Sequence, residues 1–204
     1  MVSTGLQAAL FFSTFFLLVL PYASTAAAAA SSSTTLENEC ERYAAGDKGS
    51  NDYCLWKLRR DNGSATADAR GLAAIAAMMA RSTAKATRER IIAGMTTIQS
   101  ANETTTVSPT AAARRDCLAA CAAEYAAAVR RLGHAARDAA GGGGGAAGLR
   151  RAQTLLAVVA GTPARCDATF AAAGQSSPLA GADFGLDDEV ELAMALLPSP
   201  PLTD

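Results

Sequence analysis

The stretch that most constrains the fold is residues 115–139, RDCLAACAAEYAAAVRRLGHAARDA. Its larger apolar residues, Leu118, Cys121, Tyr125, Val129 and Leu132, recur at steps of three and four, which places them on one stripe of an α-helix. Arg115, Glu124, Arg130, Arg131 and Arg137 fall on the opposite side and read as solvated. Alanine, the best helix former, fills most of what is left, so intrinsic propensity and hydrophobic period agree. A helix with a single apolar stripe must bury it, and its partners have to come from the rest of the chain.

Those partners are also helical, because no strand-like alternation occurs downstream of residue 30. Residues 36–60 read as two short helical pieces around the turn GDKGSND, flanked by Cys40 and Cys54. A bridge between these two would close a loop of about fifteen residues, worth roughly 3 kcal/mol in the chain-entropy description. After a break at Asp61–Ser64, one of Ser64, Thr66 or Asp68 caps a long helix running to about Gln99. Leu72, Ile75 and Met79 mark its inner face; Ile91, Met95 and Ile98 resume that face about one residue out of register, so a kink is expected near residues 82–87. Residues 100–108 read as a loop, with Thr110 as cap of the next helix. Gly141 to Gly145 then form a flexible connector. They are not a phosphate loop, which needs spaced glycines followed by Lys-Ser/Thr.

From Leu149 to about Ala173 an a/d-type series runs through Leu149, Ala152, Leu156, Val159, Pro163, Cys166 and Phe170. That spacing suits antiparallel packing against the 115–139 helix, with a local kink or interruption at Pro163. Residues 174–186 read as a loop, and Asp187–Leu197 as a last helix with acidic residues at its N-terminus. The expected fold is all-α: an up-and-down four-helix bundle, residues 36–198, preceded by an N-terminal disulfide-stapled helical hairpin.

Residues 8–20 are an uninterrupted run, AALFFSTFFLLVL, followed by Pro21 and a small-residue stretch. This is the pattern of a secretory signal peptide, assigned to residues 1–28, and it falls short of the roughly 20 residues that span a bilayer. No membrane attachment is expected after cleavage. Five cysteines come after it, Cys40, Cys54, Cys117, Cys121 and Cys166; downstream of a signal peptide they read as a disulfide framework with one thiol left over. Asn62-Gly-Ser and Asn102-Glu-Thr are two N-glycosylation acceptors consistent with secretion. The formal net charge of −1 leaves no global basic footprint for nucleic acid. The pairs Arg59/Arg60, Arg114/Arg115, Arg130/Arg131 and Arg150/Arg151 read as solubilising surface charge.

A catalytic constellation lacks parts. His134 is the sole histidine and lies toward the charged side of its helix. No second histidine or C-x-x-C spacing supports a metal site, and no G-x-S-x-G turn offers a nucleophile. Asp187, Asp188, Glu189 and Glu191 are explained as helix N-terminal charge. No cofactor is expected. Cys117 and Cys121, one turn apart, are poorly placed to bond to each other, yet either could reach the neighbouring helix that carries Cys166. A Cys121–Cys166 bridge would close about 46 residues, on the order of 4 kcal/mol. The unpaired thiol then behaves as a small buried apolar residue.

At these residues the sequence resembles the plant invertase and pectin methylesterase inhibitors, over nearly all of the chain after the leader. The carriers are the Cys40-to-Cys54 hairpin with Leu55 and Leu58, the segment SATADARGLAAIAAMMARSTAKAT at 64–87, Cys121-x3-Tyr125-x3-Val129-x2-Leu132, Cys166-Asp167-x2-Phe170, and a Ser177-Pro178-Leu179 turn before a terminal apolar helix. The resemblance implies bridges Cys40–Cys54 and Cys121–Cys166 with Cys117 free. It also implies an apoplastic or vacuolar inhibitor that covers the active-site cleft of a target hydrolase without a cofactor. Invertase inhibitors commonly carry a Pro-Lys-Phe tripeptide between the third and fourth bundle helices; here that region is Gly141–Gly148 and holds no such tripeptide. The expected target is therefore pectin methylesterase. Invertase is the alternative, and a non-inhibitory extracellular helical module the second alternative. The oligomeric state is left open.

Overall fold

The computed structural model describes residues 35–102 and 108–199. The expected leader at 1–28 lies outside them, as does most of the loop read at 100–108. Every regular element among the described residues is helical.

The chain opens with α1 (35–44), which turns Leu36, Cys40 and Ala44 inward at steps of four. Ala45 and Gly46 take positive φ values of 47° and 93° and reverse the chain within three residues. Asp47 then caps α2 (Lys48–Leu58), its carboxylate accepting from Ser50 N at 2.7 Å. The turn is thus shorter than GDKGSND, because a side-chain cap lets the helix begin at Lys48. Cys40 and Cys54 are joined, with Cα atoms 5.5 Å apart, and both are fully buried.

A 3₁₀ turn (Asn62–Ala65) leads into α3 (Ala69–Asn102), about 50 Å long. Of the three candidate caps, Asp68 performs the task, accepting from Gly71 N at 2.8 Å. Ser64 instead is buried and donates to Leu58 O at 2.7 Å, satisfying a carbonyl at the end of α2. No interruption occurs at 82–87: α3 is continuous there, and Ala84 and Thr87 carry the buried face through the polar middle.

Ser108, not Thr110, is the N-cap of α4 (Pro109–Ala139), with Pro109 in the first turn where its missing N–H costs nothing. Helices α3 and α4 form the most extensive pairing in the fold. Arg70 meets Ala139, Arg81 meets Val129 and Gly94 faces Leu118, so the two run antiparallel. Their contact is lined with small residues: Ala73, Ala76, Ala77 and Ala80 on α3, Ala128, Ala135, Ala136 and Ala139 on α4.

The expected 149–173 helix is two helices, α5 (Gly145–Ala160) and α6 (Thr162–Ala172), separated at Gly161. Pro163 explains the break, since its ring nitrogen cannot donate to Val159 O; Gly161 N takes that acceptor instead. Arg165 folds back across the gap and donates to Val158 O at 3.2 Å, to Thr162 Oγ1 at 3.1 Å and to Glu124 Oε2 on α4 at 2.9 Å. The whole a/d series from Leu149 to Phe170 is buried despite the break. Cys121 of α4 and Cys166 of α6 are bonded, their Cα atoms 5.1 Å apart.

Helix α7 (Ala180–Leu196) starts seven residues before the position expected for it, and buries Leu186, Val190, Leu192, Ala193 and Leu196. It packs on α3 and α5, which closes the ring α3, α4, α5–α6, α7 into the four-membered bundle. The α1–α2 hairpin is attached by its own apolar side and by the Lys57–Glu189 ion pair between α2 and α7.

Candidate interaction surface

His134 is exposed on α4, and Arg137 Nη2 donates to its Nδ1 at 2.8 Å. Among the described residues that line the hollow around that pair there is no serine, cysteine or carboxylate. Among the described residues no three His, Cys, Asp or Glu side chains are grouped to hold a metal ion. The carboxylates read as N-terminal charge are not at a helix start, because α7 begins at Ala180. Glu189 is instead drawn inside and pairs with Lys57, its side chain 5 % exposed.

What the molecule does present is a set of contact faces. On the hairpin, Trp56 is 56 % exposed although it belongs to a helix whose inner face is sealed by Cys54 and Leu58. The Arg60 guanidinium lies 4.7 Å from its ring centroid, Lys57 Nζ 5.7 Å, and the Tyr53 ring 6.4 Å. Cation–π contacts of this kind hold an exposed aromatic in one orientation, at about 0.5–1 kcal/mol each. Beside this knob a notch of about 290 Å³ lies between the hairpin and α7, lined by Tyr43, Asp47, Gly49, Ser50, Tyr53 and Asp188. Burial, reinforced by the negative charges of Asp188, Glu189 and Glu191, pushes the Tyr53 hydroxyl well above the ordinary tyrosine range. Tyr43 is raised for the same reasons: burial first, then Glu191 and Asp188.

The α4–α5 connection is a built turn rather than a slack tether. Gly142 N donates to Arg137 O at 2.9 Å, and Arg151 Nη2 donates to Gly143 O at 2.7 Å while also holding Asp138 at 3.2 Å. A Cβ at Gly143 would lie 2.1 Å from Asp138 Oδ1. Glycine is therefore required there by contact, and at Gly141 and Gly144 by φ values of 103° and 77°.

The cysteines are buried beneath these faces. Cys117, the remaining thiol, is buried, and its Sγ sits 3.7 Å from Thr169 O on α6. Asn62 is exposed on the 3₁₀ turn, whereas Ser64 of the same sequon is buried. Asn102 is the last residue of α3, and the rest of its sequon lies outside the described residues. Further hollows among the described residues include a cleft of about 710 Å³ between α3, α4 and the start of α7, floored by Ile91, Ile98, Leu118 and Leu179, a groove along α3 and α4 at Arg81 and Arg130, and one on α5 at Arg150 and Leu155.

Sequence reasoning missed the exposed Trp56 knob and the closed glycine turn. Nothing local in the sequence tells an outward-facing Trp56 from an inward-facing one, and nothing ties Arg151 to Gly143. No helix among the described residues is long and apolar enough to cross a membrane. No curated protein matches the chain. The family model for plant invertase/pectin methylesterase inhibitors, however, matches residues 23–195, from before α1 almost to the end of α7. The match takes in both cysteine-bearing halves and the bundle they stabilise, and the chain belongs to the plant invertase/pectin methylesterase inhibitor family.

Proposed function

We propose that this chain is a secreted inhibitor of pectin methylesterase that acts as a rigid helical block over the active-site cleft of the enzyme. Residues 1–28 direct it to the secretory pathway and are removed, the apoplast is its main compartment with the vacuole as the other, and Asn62 and Asn102 are the glycan acceptors. It performs no turnover and takes no cofactor; binding is its whole activity.

The observation that carries the choice of target is the α4–α5 turn. It lacks the Pro-Lys-Phe tripeptide of invertase inhibitors, and it is closed on itself by Arg151, Asp138 and Gly143, so it has no extended side chain to insert into a sugar pocket. The Ser177-Pro178-Leu179 turn favours invertase only weakly. Leu179 is buried and its N–H bonds to Ser177 Oγ at 3.3 Å, which gives the turn a folding role independent of any target.

Titration of pectin methylesterase and of invertase with the oxidised protein tests the proposal. The expected result is stoichiometric loss of esterase activity with invertase unaffected. Loss of invertase activity alone would reverse the assignment, and inactivity against both enzymes at micromolar concentration would leave a non-inhibitory helical module.

A further inference from the structure

The groove along α3 and α4 has a property that the net charge of the chain conceals. It measures about 460 Å³ and is lined by Met78, Arg81, Val129, Arg130, His134 and Arg137, with Gly133 between them. None of the described residues that line it is acidic. Helices α3 and α4 contain four carboxylates, and each is engaged elsewhere: Glu89 with Lys85, Asp116 with Arg115, Glu124 with Arg165 and Asp138 with Arg151. None of the ion pairs among the described residues uses Arg81, Arg130 or Arg137.

The cations are also arranged. Arg81 crosses to α4 and donates to Val129 O at 3.3 Å, passing over Gly133, where a Cβ would come within 3.3 Å of its Nε. Arg130 and Arg137 stand two turns apart on α4, about 10 Å along the axis. Arg137 donates to His134 Nδ1, and since a guanidinium cannot accept, Nδ1 is the bare nitrogen and Nε2 carries the proton as a further donor. Met78, 43 % exposed, and the half-buried Val129 add apolar surface between these donors.

We propose that this groove binds a polysaccharide bearing repeated carboxylates, the form pectin takes when its methyl esters are hydrolysed. Guanidinium forks fit carboxylates, the spaced cations suit a charge repeated along a chain, and the apolar strip suits the C–H faces of sugar rings. The choice of polymer rests on the pectin methylesterase reading; the anion specificity does not. Binding there holds the inhibitor on wall that has already been de-esterified, beside the enzyme that produces it.

The test uses the isolated protein with no hydrolase present. Polygalacturonate, fully methyl-esterified pectin and polyglutamate are compared as ligands at low and physiological salt, for the native chain and for Arg130→Gln/Arg137→Gln, two exposed positions. The expected result is binding to polygalacturonate alone, weakened by salt and reduced roughly tenfold in the double variant, with the variant retaining its circular dichroism. Equal affinity of native and variant protein overturns the proposal, and so does equal binding of polyglutamate, which would mark plain ion exchange. The same proteins are then titrated against pectin methylesterase. A variant that loses inhibition while native protein never binds polygalacturonate makes the groove a contact for the hydrolase and overturns the proposal. A native chain that binds polygalacturonate and inhibits nothing refutes the inhibitor reading and leaves the groove intact.

Discussion

The bridge between α4 and α6 is the perturbation whose magnitude comes most directly from the structure. Cys166→Ala, made in a Cys117→Ala background, leaves Cys121 without its partner and without a substitute thiol one turn away. The bridge closes a separation of 45 residues, which in the chain-entropy description is worth about 4 kcal/mol. The Cys40–Cys54 bridge closes 14, worth about 3 kcal/mol. All four bridged cysteines are fully buried, so lost packing adds to both figures. Against a typical total of about 5–15 kcal/mol the loss is large, and at about 2–4 °C per kcal/mol it lowers the melting temperature by roughly 10 °C. Thermal and urea unfolding followed by circular dichroism would measure it, with the Cys117→Ala parent as reference. Cys40→Ala/Cys54→Ala serves as the comparison and should cost less. A drop under about 3 °C, or a larger loss from the shorter loop, would refute the idea that this bridge constrains the unfolded chain in the way the loop lengths imply.

Lys57→Met strips the counter-charge from Glu189, whose side chain is 5 % exposed while that of Lys57 is 18 % exposed. A loss of about 2 kcal/mol is expected, below the full penalty of a buried pair because Lys57 is partly solvated, and adding Glu189→Gln should restore much of it. Tyr53→Phe should be neutral or slightly stabilising at pH 7, since the Tyr53 hydroxyl is buried without a hydrogen-bond partner. Its proton is held more tightly in the folded chain than in the unfolded one, so the native protein loses stability as pH rises past about 10. The Phe variant should show a shallower alkaline slope in pH-dependent unfolding, and an unchanged slope would contradict the assignment. A thiol reagent should find no reactive group in the native oxidised chain and one, Cys117, after denaturation; immediate reaction would mean that Cys117 is not buried between α4 and α6.

Much of the frame was legible because large apolar residues report burial by their spacing. Leu118, Cys121, Tyr125 and Leu132 are all inside, as is every member of the series from Leu149 to Phe170. Val129, on the same stripe by spacing, is only half-buried, since the true centre of the α4 face runs through Ala128, Ala135, Ala136 and Ala139. Alanine fits both a buried contact and a solvated face, so an alanine-lined seam such as α3–α4 carries almost no periodic signal. The beginning of α7 was hidden for the opposite reason. Gly181 and Gly185 argue locally for a loop, and packing of the helix against α3 and α5 overrides that preference. Pro163 signalled the interruption correctly. What repairs it, Arg165 bonding across to Val158 and Glu124, depends on a neighbour 41 residues away and has no local signature.

The same asymmetry governs the charges, where it bears on function. Arg130/Arg131 and Arg150/Arg151 are indistinguishable as sequence, each an arginine pair on an alanine-rich helix. In the folded chain Arg151 is consumed by Asp138 and Gly143 in closing the turn, whereas Arg130 faces a groove with no carboxylate on its walls. A count of charges cannot separate the two, and a net charge of −1 argues against any basic surface at all. Locating each carboxylate does separate them, because an acid on another face of the bundle is screened by solvent and salt from the cations of this groove. The four acids of α3 and α4 each pair with a cation outside the groove, and Arg81, Arg130 and Arg137 line it without an ion-pair partner among the described residues. What fits a surface of that kind is a partner that brings its own row of negative charge.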